Sequence, residues 1–317
     1  MLTLHAPLPK NIASAIAGYH PDDYETAALT IITTEKTQWD EMVVNVTDGV
    51  QYMVRNVIKQ ARRYYSGIFN TQYDEVTGDK KIWVPMTNTA VEQVVKSIDL
   101  DTKDILIEPG KPSAMNVAPL IRAAILNLFK KISFGQLLND STTVVARDGT
   151  VVVKSAVVKD PNTNKKIIKS YIVDMFNVWT DPSSNNIQES AIIERIIKTK
   201  PELEFYRSVW DNFDNINFGQ QPDKLYGISN ISPGTIPSAE IWERWGLIPK
   251  SWITKDKSDD DTLVEGLIVA SGAGSPSVIH YIGNNPRKDK RKPYEECWYK
   301  RIPGRWPGVG VPELLFS

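Results

Sequence analysis

Three histidines, His5, His20 and His280, stand too far apart to share a metal at the tight ligand spacing of a zinc site. The acidic run Asp259-Asp260-Asp261 has consecutive carboxylates where a calcium loop alternates oxygen ligands around a central glycine, so it reads as a solvated hairpin tip. No Gly-x-Ser-x-Gly elbow and no Cys/His nucleophile setting occurs. Gly308-Val309-Gly310 does not run from a strand into the Gly-x-x-Gly helix start of a dinucleotide site, and a plain turn explains it. A Gly-x-x-x-x-Gly-Lys-Ser/Thr phosphate loop is missing as well. The expectation is a protein that is not an enzyme, with no catalytic, cofactor-binding or metal-ligating set. An ATP-driven process involving it would need its motor in another chain.

Two basic clusters allow nucleic-acid chemistry. Arg287, Lys288, Lys290, Arg291 and Lys292 put five cations and one anion, Asp289, in six residues. That composition suits phosphate contacts, and equally a solvated loop tip, the commoner use. Arg62-Arg63 before Tyr64-Tyr65 suits stacking and charge neutralisation, or an ordinary helix end with arginines at its negative pole. Six of the nine tryptophans follow position 209. Trp242, Trp245, Trp252 and Trp298 fall in a β-rich stretch of some 60 residues. A module so small cannot enclose four indoles unaided, which favours an oligomer interface on that surface. Base stacking, or a compact core of Trp242, Trp252 and Trp298, are the other readings.

The chain has 317 residues, enough for one large or two to three ordinary domains. At 41% hydrophobic and 24% charged it lies near the globular average, and 37 basic against 38 acidic residues give a net charge of −1. Bulk attraction to nucleic acid or an anionic membrane is thereby excluded, though not a local patch. The single cysteine, Cys297, excludes an internal disulfide framework and fits a reducing compartment. No apolar run reaches the length of a membrane span, and Met1 to Gly18 lacks the basic start of a signal peptide. A soluble, intracellular globular protein is expected.

Elements follow from periodicity. Asp22 to Glu35 reads as a helix inside an otherwise weakly patterned start. Val50, Met53, Val54, Val57, Ile58 and Ala61 mark one apolar helix face, and Val91, Val94, Val95 and Ile98 another. Asp104–Glu108 is a strand candidate. Residues 113–146 read as the longest helix, with Leu120, Ile121, Ala124, Ile125, Leu128, Phe129 and Ile132 on a broad apolar face and a kink at Gly135. Asp148-Gly149 is either a hairpin turn or a left-handed helix cap, and the helical pattern through Asn139 favours the cap. Thr150–Val158 and Lys166–Val173 form a hairpin, and Ala191–Lys198 returns as a further strand. Pro201, Phe205, Val209, Trp210 and Phe213 predict a helix. Residues 215–240 are loop-like, and 241–300 are β-rich. Pro312-Glu313-Leu314-Leu315 reads as a first helical turn, which suggests a longer helix continuing from it. The fold class is α+β.

The segment WYKRIPGRWPGVGVPELL resembles the run in portal proteins of short-tailed bacteriophages that joins the clip to a long stem helix. Arg301, Pro303, Gly304, Arg305, Trp306, Gly308, Gly310, Pro312 and Glu313 carry the likeness. VARDGTVVVKS, IVDMFNVWTDP and AIIERIIKTKPEL resemble portal wing sequence, and KIWVPMTNTAVEQVVKSI resembles an early wing helix following a strand. The resemblance implies a portal-like fold: an irregular N-terminal arm (1–48), an α/β wing (49–199), a stem helix segment (200–214), a linker (215–240), a β-rich clip (241–303) and the start of a second stem helix (304–317). It further implies a homo-oligomeric ring, usually of twelve copies, at a capsid vertex of the virion, assembled in the host cytoplasm. Such a ring is the channel for DNA packaging and ejection. Its partners are the capsid protein, the large terminase subunit and tail or adaptor proteins, with double-stranded DNA passing through without sequence-specific contact. The competing classes are a non-ring nucleic-acid-binding module using Arg62, Arg63 and the 287–292 loop, and an enzyme whose site matches no motif.

Overall fold

The structure, a computed structural model, describes residues 24–40, 43–45, 51–67, 86–98, 102, 108–159, 166–219, 237–255, 262–303 and 305–316. In chain order its elements are α1 (Tyr24–Trp39), β1 (Val43–Asn45), β2 (Gln51–Met53), α2 (Val54–Tyr65), α3 (Met86–Ser97), α4 (Ala118–Lys131), α5 (Phe134–Asp148), β3 (Thr150–Lys159), β4 (Lys166–Val173), β5 (Val178–Thr180) and β6 (Ile192–Thr199). There follow α6 (Lys200–Glu204), β7 (Ser238–Pro249), α7 (Lys250–Thr254), β8 (Leu263–Ser271), β9 (Val278–Asn284), β10 (Tyr294–Trp298), β11 (Lys300–Ile302), β12 (Arg305–Val309) and α8 (Val311–Phe316). The fold is mixed α+β. It comprises two compact units, each assembled from two separated stretches: Met1–Met53 with Asp174–Lys292, and Val54–Val173 with Pro293–Ser317.

The first unit is built on an antiparallel sheet in the order β5-β6-β7-β8-β9. Both faces of this sheet are covered, so β7 is buried along most of its length and not only at alternate residues. On one face Ala27, Ala28, Ile31 and Ile32 of α1 recur at helical spacing and pack with Trp179, Trp242, Ile248, Trp252 and Ile268. On the other, Leu203, Phe213 and Ile216 cover Ala239, Ile241 and Val269. One charge pair crosses from α1 into the sheet. Arg244 of β7 donates two hydrogen bonds of 2.7 Å to the Glu35 carboxylate, both side chains being fully enclosed.

In the second unit β10, β3 and β4 form one sheet with β3 in the middle, and β11 pairs with β12. Helices α2, α3, α5 and α8 pack together around Val91, Ala146 and Val311, with Tyr65, Ala90, Val94 and Val95 alongside. The α5 helix ends as the sequence favours: Gly149 adopts φ 82°, and its N–H donates to the Val145 carbonyl. The β3–β4 hairpin also forms, Val152 pairing with Val173 and Lys159 with Lys166.

Several expectations are corrected. The first 48 residues are not wholly an irregular arm, because α1 is part of the sheet core. The long helix expected over 113–146 is two helices, broken at Ser133 (φ 52°), where Phe134 turns back to stack on Phe129 at 4.3 Å. Gly135 lies inside α5 and is not the kink. The helix expected over 200–214 is one turn, α6, opened by a Thr199/Glu202 capping box and followed by a series of tight turns. Leu203 and Phe213 serve the sheet individually while Phe205 and Val209 stay exposed, and Asn212 at φ 54° prevents a continuous helix. A β module bounded at 241–303 does not exist as such: β7 pairs with β6 over eight residues, and β10 pairs with β3. The strand proposed at Asp104–Glu108 lies outside the described residues except for its last residue.

Candidate functional site

Two sequence stretches singled out separately, Arg147–Thr150 and Arg305–Glu313, meet in the second unit. Gly149 is the pivot. A Cβ placed on it would come within 2.5 Å of the Gly310 nitrogen and 2.7 Å of the Val309 carbonyl carbon. In return, a Cβ on Gly308 would lie 2.5 Å from the Gly149 oxygen, and one on Gly310 would lie 2.6 Å from the Arg147 oxygen. Three glycines are therefore required for two backbones to touch, the standard use of glycine at close approach. Hydrogen bonds hold the contact: Gly308 N–H donates to Thr150 Oγ1 at 2.7 Å, and Tyr299 N–H donates to the Gly149 carbonyl at 3.0 Å.

Charge and aromatic contacts brace this junction from both sides. The Asp148 carboxylate, fully buried, accepts forked bonds from Arg62 (2.6–3.2 Å) and from Arg147 (2.7 and 2.9 Å). Two guanidiniums on one carboxylate offset the cost of taking it out of water. Arg147 also lies over the Tyr65 ring, whose hydroxyl donates to Glu92 at 2.7 Å. That bond to Glu92, followed by burial, raises the Tyr65 pKa. Arg305 forks onto Glu313 at 2.8 and 3.1 Å, tying β12 to the first turn of α8. Trp306 is enclosed and donates to the Glu296 carboxylate, while Trp298 donates to the Trp306 carbonyl at 2.8 Å. The chemistry of this assembly is mechanical: it fixes the direction in which α8 leaves the sheet. Of the family-like residues, Arg305, Trp306, Gly308, Gly310, Pro312 and Glu313 sit in it. Arg301 is exposed over the Trp298 ring, Pro303 is exposed, and Gly304 lies outside the described residues.

The four tryptophans expected at an interface are not a surface. Trp242 and Trp252 belong to the sheet core, Trp245 is buried, and Trp298 is half-buried. The Trp242 indole donates to the Gly272 carbonyl at 2.8 Å and tilts against Trp179 at 5.4 Å. The expectation that a stretch of some 60 residues cannot enclose its indoles unaided holds, but the missing cover comes from α1, β5 and β6 of the same chain and not from a second copy. The five-cation loop is also largely committed. Arg287 forks onto Asp289, the Lys290 ammonium donates to the Asn285 carbonyl, and Lys292 is buried against the Gln188 carbonyl (2.7 Å) and Glu265 (3.5 Å). Burial lowers the Lys292 pKa against the pull of Glu265. Lys288 and Arg291 are exposed. Arg62, a candidate phosphate ligand, is held by Asp148.

One polar cluster escaped the sequence reading. His280 Nε2 lies 2.7 Å from Ser271 Oγ, its Nδ1 lies 3.1 Å from the Asp211 carbonyl, and its ring stacks on Trp210. The cleft beside Ser271 measures about 40 Å³ and is lined by Asn215, Asn217, Glu240, Gly272 and Ser277, room for little more than a water or two. The amides of Gly272, Gly274 and Ser277 are already bonded to Glu240 and Ser271, so none of them is left to stabilise an oxyanion. The pair clamps the 205–217 turns onto β9. Nothing in the chain's periodicity announces a serine and a histidine nine residues apart across a hairpin.

No protein-family model matches this chain, and no curated protein matches it.

Proposed function

We propose that this chain is a ring-forming portal subunit of a viral capsid, a structural protein that lines the channel for DNA packaging and ejection and docks the packaging motor and tail. The supporting observation is the junction at Gly149. The two stretches with the most specific portal resemblance lie about 160 residues apart in the chain. They pack into a single interlock through Gly149, Gly308 and Gly310 and the hydrogen bonds from Gly308 N–H to Thr150 and from Tyr299 N–H to Gly149. A chance likeness of two unrelated stretches would not require them to be neighbours. The junction sets a helix direction, as expected of a part whose task is geometric. The nucleic-acid-module reading draws little support, since Arg62 and most of the 287–292 loop are spent on internal contacts.

Mass photometry and negative-stain microscopy of the purified chain test the proposal. Rings, of about twelve copies by the resemblance, are expected. A monomer at micromolar concentration, in the presence and absence of double-stranded DNA, would overturn it.

A further inference from the structure

The near-zero net charge conceals a division. The unit made of residues 1–53 and 174–292 carries 16 Lys/Arg against 24 Asp/Glu, net −8, and the unit made of residues 54–173 and 293–317 carries 21 against 14, net +7. Each unit also exposes apolar side chains where its own sign of charge is concentrated. In the basic unit, α4 buries only Ala118, leaving Val117, Leu120 (70% exposed) and Ile121 (46%) on the surface. Residues 109–139 around it contain no Asp or Glu, and they carry Lys111, Arg122, Lys130 and Lys131. In the acidic unit, the turns after α6 expose Phe205 (52%) and Val209 (60%) amid Glu202, Glu204, Asp211 and Asp214. Arg207 bridges Glu204 and Asp214 and so offsets part of that charge, but the segment 200–214 keeps four acidic residues against two basic.

We propose that α4 of one copy docks on the Glu202–Asp214 turns of a second copy of this chain, with Leu120, Ile121, Phe205 and Val209 at the apolar centre and the opposed charges as its rim. An apolar centre within a charged rim is the ordinary anatomy of a protein interface. Opposite charge selects the partner and the orientation: α4 against α4 would set basic helices together, and turn against turn would set acidic surfaces together. The contact therefore joins two different surfaces head to tail, and contacts of that type close into rings or run into filaments. The inference rests on the ring-forming reading for its biological sense, yet the contact is testable apart from ring closure.

The test uses the full chain with Cys297→Ser, into which Leu120→Cys or Val209→Cys is introduced. Both positions are exposed, so folding tolerates the change. Mixing the two variants under mild oxidation is expected to give a disulfide-linked pair containing one of each, with little linkage in either variant alone. Lys130→Glu with Lys131→Glu should weaken association at least about tenfold, and Glu204→Lys with Asp214→Lys in the opposing copy should recover it. Rings that form without the mixed link would overturn the docking and leave the ring reading standing. Mixed links in pairs or filaments that never close would support the docking and overturn the ring reading. Links only within the Leu120→Cys sample would overturn the head-to-tail arrangement. Loss of DNA retention by the α4 charge variants, with association and linkage unchanged, would make α4 a phosphate-contact surface and overturn the proposal.

Discussion

Replacing Gly149 with alanine tests the junction most directly, because two independent costs add at one atom. A residue with a Cβ held at φ 82° loses about 1–2 kcal/mol. The new methyl would also meet Gly310 N and Val309 C at 2.5 and 2.7 Å, in backbone that the Gly308–Thr150 hydrogen bond prevents from withdrawing. Overpacking of that kind costs about 1–3 kcal/mol. The sum, about 2–5 kcal/mol, should lower the melting temperature on the order of 10 °C for a cooperative unit of this size. Gly149→Asn separates the two costs, since asparagine tolerates the left-handed region but brings the same Cβ. It should recover only the first part. Gly135→Ala is the control: no atom lies within 4 Å of its Cβ, so the same change in α5 should stabilise by about 0.5 kcal/mol. Urea unfolding followed by circular dichroism reads all three. If Gly149→Ala unfolds within 0.5 kcal/mol of the parent, or if Gly149→Asn restores full stability, the close-approach argument is refuted.

Three further outcomes are expected. Glu35→Ala leaves Arg244 charged and enclosed and should cost about 3–5 kcal/mol in urea unfolding, whereas Glu35→Met with Arg244→Met should recover most of it; equal losses would show that the pair itself is the stabilising element. Burial holds the His280 pKa below its unfolded value of 6.5, despite the opposing bonds to Asp211 and Asn212. The unfolded chain therefore binds the extra proton first, and stability present above pH 6.5 should fall as the pH drops below it, a slope that His280→Gln should flatten in pH-dependent melting curves. Arg305→Lys keeps the charge but loses the fork to Glu313, and should cost about 1.5–3 kcal/mol. Faster hydrogen exchange at the α8 amides than in α2 would place that loss at the junction, and uniform exchange would argue against it.

What the sequence made legible is local. The Gly149 cap, the β3–β4 hairpin and the strand at β6 follow from a helical pattern meeting Asp-Gly and from β-branched runs set off by turn residues. What it hid is distant. Val151 of β3 pairs with Cys297 of β10, and Ile192 with Trp245, pairings that no window of a dozen residues contains. The fate of Trp242 and Trp252 depends on α1, the whole of which lies more than 200 residues upstream of Trp242. Over 200–213 the apolar spacing was helical, but the capping box starts a helix that Asn212 and the sheet's demand for Leu203 and Phe213 do not let continue. In α4 the apolar spacing marks a face that the chain leaves largely uncovered, because periodicity shows that a face exists and not what covers it.

The interleaving of the two units has a consequence at the ribosome. Glu35 and Arg244 are 209 residues apart, so at about 5–20 residues per second α1 is synthesised some tens of seconds before the strand that neutralises it. Throughout that interval Ala27, Ala28, Ile31 and Ile32 have no sheet to cover them, and β3 waits in the same way for β10. A nascent polypeptide of this kind is exposed to premature self-association early in its synthesis, and chaperone supply during translation should govern its yield more than the stability of the finished fold does.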